Sequence, residues 1–216
     1  MKKSIVLMLL ATLAVGTTVH AQQAVQMLGL ENQQKSKNTG THHTLAVNFN
    51  PGFITSKVDT GEKEVSWRGG IGVSANYRCM FDSNYGFGLT YNHSKTSYDM
   101  SNNSVDIKLD YIGPSFVMGG QLGNRWSAHL SFGIGVAHYS EHYEKEIYSV
   151  FVINPSNYGV GIQSEAGFDY YLNKTLSIGL GITEDVYIFS KSDAQTKGQS
   201  NGFSRFALAV GLGINL

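Results

Sequence analysis

Residues 206–216, at the C-terminus, alternate strictly between large apolar side chains and small or polar ones. The large apolar set occupies the even positions: Phe206, Leu208, Val210, Leu212, Ile214 and Leu216. The odd positions carry Ala207, Ala209, Gly211, Gly213 and Asn215. A period of two predicts a β-strand with one apolar face and one slim face. When tilted, this strand is long enough to cross a bilayer, but only a closed barrel pairs all its backbone groups in lipid.

The same alternation recurs along the chain and predicts eight strands, near residues 43–50, 65–81, 85–95, 104–119, 125–139, 157–172, 175–189 and 203–216. Tight turns are predicted at Asp82-Ser83-Asn84, Gly120 to Asn124 and Asn173-Lys174. They alternate with longer, more polar connections at 51–64, 95–104, 140–156 and 190–202. Short turns on one side and long loops on the other are typical of an outer-membrane barrel, with both chain ends on the periplasmic side.

The large apolar face is predicted to point outward, towards lipid. In the alternative, a soluble barrel of the lipocalin type or a sandwich, it would fill the interior. The opposite face is mainly Gly, Ala and Ser, which suits the crowded lumen of an eight-stranded barrel. Two outward aromatic pairs, Trp67 with Tyr77 and Tyr158 with Phe168, span ~25 Å of tilted strand, the height of an apolar band between aromatic girdles. In the fourth strand the alternation is expected to slip at Gly113-Pro114, where we predict a bulge.

The N-terminus carries an export signal. Lys2 and Lys3 precede a short apolar run, Ile5 to Val15, and a small-residue cleavage site, Val19-His20-Ala21. No later segment is apolar enough for a transmembrane helix. The sequence therefore predicts a signal peptide at 1–21, a flexible periplasmic leader at 22–42 and a barrel domain at 43–216.

Composition agrees with an all-β chain. There are 25 Gly, 12 Tyr and 11 Phe but only 3 Pro among 216 residues. Removal of the signal peptide leaves 14 basic and 16 acidic residues, a net charge of −2 that gives no reason to expect nucleic acid. The single Cys79 lies on an apolar face and is interpreted as a small hydrophobe.

These features resemble the small outer-membrane β-barrel family of the OmpX and OmpA-transmembrane type, particularly the porin-like barrels of Bacteroidota. The resemblance covers about residues 43–216. It rests on the signal peptide, the alternating Gly/aromatic strands, the terminal strand and the segment Leu109-Asp110-Tyr111-Ile112-Gly113-Pro114. It implies a single up-and-down antiparallel transmembrane barrel in the outer membrane of a Gram-negative bacterium. It also implies a monomer without cofactors, in contact with outer-membrane lipids and lipopolysaccharide.

The resemblance further implies partners during biogenesis, namely periplasmic chaperones and the barrel-assembly machinery. The family's terminal strand is the signal that this machinery recognises, which here corresponds to Phe206, Leu212, Ile214 and Leu216. The family usually ends in an aromatic residue, whereas this chain ends in Leu216.

A set of ionisable residues is predicted to line the lumen: Arg68, Arg78, Asp106, Lys108, Asp110, Glu165 and Asp169. Unpaired charge is costly in a confined interior, so we expect these groups to pair across strands. A paired network predicts a plugged lumen, and hence a structural or surface-interaction protein. A narrow porin for small solutes is the alternative.

One pattern suggests catalysis. His138 and Ser140 lie on the same face of a strand, where an imidazole can activate a hydroxyl, with Glu141, Glu144 or Glu146 as an orienting carboxylate. The pair resembles that of outer-membrane lipid A deacylases, although the residues that surround it there are absent here. We interpret it as the polar end of a strand and expect no enzyme, with a deacylase-like hydrolase as the second alternative function.

Two other groups of residues bear on binding. His42-His43 is too local to close a metal site, and His138 with His142 near glutamates is interpreted as solvated loop histidines, so no metal is predicted. The 140–156 connection contains a set of apolar residues: Tyr143, Ile147, Tyr148, Val150, Phe151, Val152 and Ile153. It is predicted to extend the fifth and sixth strands above the membrane, with a partner-binding surface as the alternative.

Overall fold

The computed structural model describes residues 41–55, 58–59, 64–65, 68–81, 84–100, 103–145, 156–189 and 202–216. Within these ranges no helix is long and apolar enough to cross a membrane. The predicted signal peptide and all but the last two residues of the predicted leader lie outside the described residues. The barrel belongs to a compact unit that runs from Thr39 to Leu216.

All regular structure in the described ranges is β-strand. The strands are β1 His42–Phe49, β2 Gly52–Ile54, β3 Val58–Asp59, β4 Glu64–Val65, β5 Arg68–Phe81, β6 Tyr85–Met100, β7 Asn103–Gln121, β8 Trp126–Lys145, β9 Ser156–Tyr171, β10 Leu176–Phe189 and β11 Gly202–Asn215. β3 and β4 pair only with each other. The remaining strands form one antiparallel sheet that closes on itself, because β1 pairs with both β11 and β5.

β1 and β2 are two parts of one barrel strand. β1 pairs with β11 as far as Phe49, opposite Val210, and β2 resumes the same register at Gly52, opposite Ala207. Pro51 lies in the gap and has no amide hydrogen to donate. Its carbonyl still accepts from the Leu208 amide at 2.9 Å. Counted this way, the described sheet is an eight-stranded barrel, as the alternation predicts.

The two ends of the barrel differ in their connections. At the turn end lie both ends of the barrel chain and the short turns before β6, β8 and β10. Gly123 adopts a φ of 124°, which only glycine takes without strain, and Asn173 Oδ1 accepts from the amides of Thr175 and Leu176 at 2.8 Å. At the loop end, β8 continues to Lys145, so this strand extends into the predicted 140–156 connection as expected.

The exterior carries the large apolar side chains over most of the barrel height. On β11, Leu212 is 65 % exposed whereas the inward Ala209 is 4 % exposed. On β8 the exposed set runs from Trp126 to Val136, which in a tilted strand spans ~25 Å. The predicted outward direction of the apolar face is confirmed in this band, which we call the apolar band.

The interior explains the small residues of the other face. A Cβ added at Gly161 would lie 2.5 Å from Tyr111 Cδ2, and one at Gly167 would lie 2.5 Å from His129 Cε1. Both distances are shorter than a carbon contact allows. These glycines make room for large lumen side chains from other strands.

The loop-end half of β7 corrects the prediction for three residues. Asp106, Lys108 and Asp110, predicted for the lumen, lie on the outward face, while the residues between them, Ile107, Leu109 and Tyr111, are at most 2 % exposed. β6 and β7 keep one register throughout, so the predicted bulge at Gly113-Pro114 is absent. The alternation is continuous, and what changes is the environment outside the strand.

Above the apolar band, β7 and its neighbour β8 are therefore apolar inside and polar outside. The barrel interior there is filled by a buried apolar cluster: Ile54, Ile107, Leu109, Tyr111, Ala137, Tyr139, Tyr187, Phe189 and Phe203. The rings of Tyr139 and Phe203 stack with centroids 4.9 Å apart. This arrangement is that of a water-soluble barrel, which indicates that the loop end stands outside the bilayer.

Candidate functional site

The turn-end half of the lumen holds an ionic cluster, the turn-end cluster, formed by Arg78, His129, Glu165 and Asp169. Arg78 Nη2 lies 3.0 Å from Asp169 Oδ2, and His129 Nε2 lies 3.3 Å from Glu165 Oε1. His129 Nδ1 is also 3.3 Å from Asp169 Oδ2, an ion-pair distance without the alignment of a hydrogen bond. Three predicted lumen residues, Arg78, Glu165 and Asp169, thus come together.

The space beside this cluster is small. The cavity, which Asn48, Asn76 and the turn-end cluster help to line, offers about 10 Å³ to the centre of a water molecule. That is room for about one water. The arrangement can hold a solvent molecule between paired charges, but it offers no volume for a larger solute.

A second ionic group, the mid-lumen cluster, is centred on Asp185. Its Oδ2 lies 3.2 Å from Arg205 Nη1 and accepts from Asn92 Nδ2 at 3.0 Å, while its Oδ1 accepts from Gln163 Nε2 at 2.9 Å. Arg205 Nη2 donates to the Asn50 carbonyl at 2.6 Å, beside the interruption between β1 and β2. The buried carboxylate thus has donors from three other strands.

The sequence interpretation missed His129, Asp185 and Arg205 as members of the lumen network. The sequence does contain evidence for an inward Arg205, because this residue is in phase with the inward residues Ala207 and Ala209 of the same strand. The remaining predicted member, Arg68, begins β5, but its side chain lies outside the described part of the chain.

The outward polar residues of β6–β9 form three cross-strand rows above the apolar band. We call this surface the exterior polar panel, and its residues are His93, Lys95, Ser97, Asp106, Lys108, Asp110, His138, Ser140, His142, Ser156 and Tyr158. Lys95 Nζ lies 2.7 Å from Asp106 Oδ2. Asp106, Lys108 and Asp110, displaced from the predicted lumen, are therefore in this surface.

His138 and Ser140 share the outward face of β8, but the structure pairs His138 with another serine. His138 Nε2 lies 3.1 Å from Ser156 Oγ, on the neighbouring strand β9. Its Nδ1 lies 3.3 Å from Asp110 Oδ2. The described residues contain no group of three or more His, Cys, Asp or Glu that is placed to hold a metal ion.

The residues of the proposed assembly signal all lie on the exterior. Phe206, Leu212, Ile214 and Leu216 are exposed, and β11 is paired along both edges, with β10 on one side and β1 and β2 on the other. This is the strand that closes the barrel.

No protein-family model and no curated protein sequence matches the chain. Solved structures with similar folds include Neisserial surface protein A, with a TM-score of 0.59 and 13% identity over 81% of this chain and 98% of that one. Ail, the attachment invasion locus protein of Yersinia pestis, in complex with the heparin analogue sucrose octasulfate, gives 0.52 and 14% over 82% and 99%. A major outer membrane protein from Thermus thermophilus gives 0.52 and 11% over 81% and 99%.

Identities this low establish a common fold and no shared activity. The fold is the small eight-stranded barrel, and its exterior band is apolar and has the height of a membrane. A closed sheet of this kind pairs backbone groups between neighbouring strands, as lipid requires of strands that cross it. The chain is an outer-membrane β-barrel protein of a Gram-negative bacterium.

Proposed function

We propose that the protein is a membrane-integral structural or surface-interaction protein whose lumen is closed to solutes. The observation that carries the proposal is the filling of the lumen at three successive levels. The turn-end cluster, the mid-lumen cluster and the apolar cluster each pack side chains across the interior. A porin requires a continuous water-filled path between the two ends.

The charge pairing supports a plug over a selective pore. Conducting filters hold ions weakly enough for them to leave, with charged groups available to the passing solute. Here the Asp185 carboxylate accepts from Arg205, Asn92 and Gln163, all within the barrel wall. The carboxylate oxygens of Asp185 are therefore occupied by hydrogen bonds to protein groups rather than available to a passing solute.

The surface role follows from the proposed orientation. With the turn end in the periplasm, the exterior polar panel and the loop end face outward, at the level of lipopolysaccharide and of partners outside the cell. The finer resemblance, to OmpX-type and Bacteroidota porin-like barrels, is part of this proposal and rests on the strand pattern of residues 43–216. The proposal also includes recognition of β11 by the barrel-assembly machinery.

Single-channel recording of the purified full chain in a planar bilayer tests the plug. We expect no discrete conductance steps from the wild type. Two variants are recorded for comparison. Tyr139→Ala/Phe203→Ala removes the stacked pair of the apolar cluster. Arg78→Ala removes the ion pair with Asp169 in the turn-end cluster. Heat-dependent mobility in SDS gels reports whether each variant is folded. Stable, voltage-independent conductance by the folded wild type would overturn the proposal in favour of the narrow porin.

A further inference from the structure

Three side chains in the exterior polar panel form a hydrogen-bonded line across β7, β8 and β9. Asp110 Oδ2 lies 3.3 Å from His138 Nδ1, and His138 Nε2 lies 3.1 Å from Ser156 Oγ. The order is carboxylate, imidazole, hydroxyl, with the carboxylate and the hydroxyl on opposite nitrogens of one ring. This is the relation by which an acid orients an imidazole that activates a serine.

The carboxylate of this line is held in place from its other side. His93 Nδ1 lies 2.7 Å from Asp110 Oδ1, and the Tyr91 hydroxyl donates to the same oxygen at 3.2 Å. Partial burial raises the pKa of Asp110, but the hydrogen bonds from His93 and His138 outweigh it and hold the pKa below its usual range. An ionised Asp110 favours the proton on His138 Nδ1, which leaves Nε2 free to accept from Ser156.

The imidazole is also restrained by packing. The ring of Tyr158, directly opposite His138 on β9, lies with its centroid 4.7 Å away and its plane tilted by 36°. Strand positions hold a constellation more rigidly than loop positions do. The acid and the base are therefore both oriented before any substrate arrives.

The height of this side-chain line on the barrel exterior indicates which part of a lipid molecule would contact it. The row directly below contains Tyr91, Ile112, Val136 and Val160, all exposed on the exterior and part of the apolar band. An amphiphile with its acyl chains against that row places its ester linkages about one row higher, where acyl chains meet headgroups. That is the row of Asp110 and His138.

We propose that Asp110, His138 and Ser156 form a hydrolytic site for carboxylic esters of outer-leaflet lipids. This goes beyond the surface role above and is independent of whether the lumen conducts. Ser156 is the nucleophile, His138 the general base and acid, and Asp110 the residue that positions His138. Lys108 lies in the same cross-strand row as Ser156, with Ser140 between them.

The proposed step balances with water as the only co-reactant. Ser156 Oγ attacks the ester carbonyl carbon as His138 Nε2 takes its proton, and a tetrahedral intermediate forms. This intermediate collapses with cleavage of the bond to the alcohol oxygen, which receives the proton from His138. Water, deprotonated by His138, then attacks the acyl-serine; the carboxylic acid leaves and Ser156 regains its proton.

Ser140 provides a matched control on the same surface. It lies directly opposite Ser156 in the β8–β9 register and two residues from His138 on the same face. His138 Nε2 lies within hydrogen-bond distance of the hydroxyl of Ser156, on the neighbouring strand. The proposal therefore distinguishes two neighbouring serines.

The first test is covalent labelling of the refolded full chain in detergent micelles with a fluorophosphonate, followed by peptide mass spectrometry. We expect the label on Ser156, its loss in His138→Gln and Ser156→Ala, and unchanged labelling in Ser140→Ala. Heat-dependent gel mobility verifies the barrel in each variant. Labelling of Ser140 in its place, or of no serine in the folded wild type, would overturn the assignment.

The second test measures fatty-acid release from vesicles of lipopolysaccharide and phosphatidylethanolamine, alongside hydrolysis of p-nitrophenyl butyrate in solution. We expect release from the vesicles to fall to background in Ser156→Ala and by at least about 100-fold in Asp110→Asn. Ser140→Ala should match the wild type. Hydrolysis of the soluble ester without release of fatty acid from vesicles would contradict a lipid substrate. Equal rates in the wild type and in Ser156→Ala would overturn the assignment of Ser156 as the nucleophile.

Discussion

Arg205 and Asp185 face each other across β11 and β10 inside the barrel, with 3.2 Å between Nη1 and Oδ2 and only 1 % of each side chain exposed. Removal of either partner leaves the other as an uncompensated buried charge. Such a loss costs more than the pair contributes, because desolvation is no longer offset.

We therefore expect Arg205→Ala to lower the free energy of unfolding by about 3–5 kcal/mol. Urea titration of the barrel in lipid vesicles, followed by gel mobility, measures it. The control is Asp106→Asn, which breaks the more exposed pair with Lys95 and should cost at most about 1 kcal/mol. A double variant, Asp185→Leu/Arg205→Met, should be more stable than Arg205→Ala alone; a cost for the single variant no larger than the control's would contradict a structural role.

Crowding of the lumen gives a second prediction. Gly161→Ala places a methyl group 2.5 Å from the Tyr111 ring, so we expect a loss of about 1–3 kcal/mol in the same titration. Gly69→Ala is the matched control, since its added Cβ meets nothing nearer than Phe53 carbons at 3.8 Å. Equal effects at the two glycines would argue against a filled lumen at Gly161.

The lipid-facing assignment predicts a strong dependence on height. Val210→Arg, near the middle of the apolar band on β11, should cost about 2–4 kcal/mol, because it places a charge in hydrocarbon. Ser140→Arg, above the band, should cost about 0–1 kcal/mol. The unfolding free energies of both variants in vesicles check this, and a neutral Val210→Arg would place β11 outside lipid.

The exterior polar panel should respond to acid. The pKa of Asp110 is lowered in the folded protein, so its contribution to stability is present above the unfolded value of about 4. That contribution is lost as the pH falls through the lower, folded value. Unfolding free energies at pH 5 and pH 2.5 should differ less in Asp110→Asn than in the wild type, while Ser140→Ala should keep the full difference. An unaltered pH dependence in Asp110→Asn would show that the hydrogen bonds from His93 and His138 do not favour the ionised form.

Alternation was sufficient to predict the eight barrel strands and the outward face of the apolar band. It did not predict every strand end, because β6 runs to Met100 and β7 begins at Asn103, inside the predicted 95–104 connection. A one-residue slip reverses every side chain, so a strand such as β11 has only one arrangement that keeps Leu212 in lipid. The same reasoning failed in β7, because it assumed one environment along the whole strand. Ile107 and Leu109 are apolar in order to fill the barrel above the membrane, and sequence alone does not show where the membrane ends.

The sequence does not show which side chains contact each other across neighbouring strands. His138 and Ser156 are 18 residues apart, and their contact depends on the β8–β9 register. Ser140 was the nearer candidate along the chain, but the hydrogen bond goes to the neighbouring strand. Arg205 and Asp185 were missed for the same reason, although the parity of each strand points both residues inward.

The reversal of polarity in β7 also determines how deeply the protein can sit. Two residues along a tilted strand correspond to ~5 Å of height. If the barrel moved that far deeper into the bilayer, Asp110 and His138 would enter the hydrocarbon. If it moved outward by the same distance, Ile112 and Val136 would be exposed to water. Both displacements cost free energy, so the membrane boundary is encoded as a fixed line on the barrel wall, and the surface above it is held at a constant distance from the acyl chains.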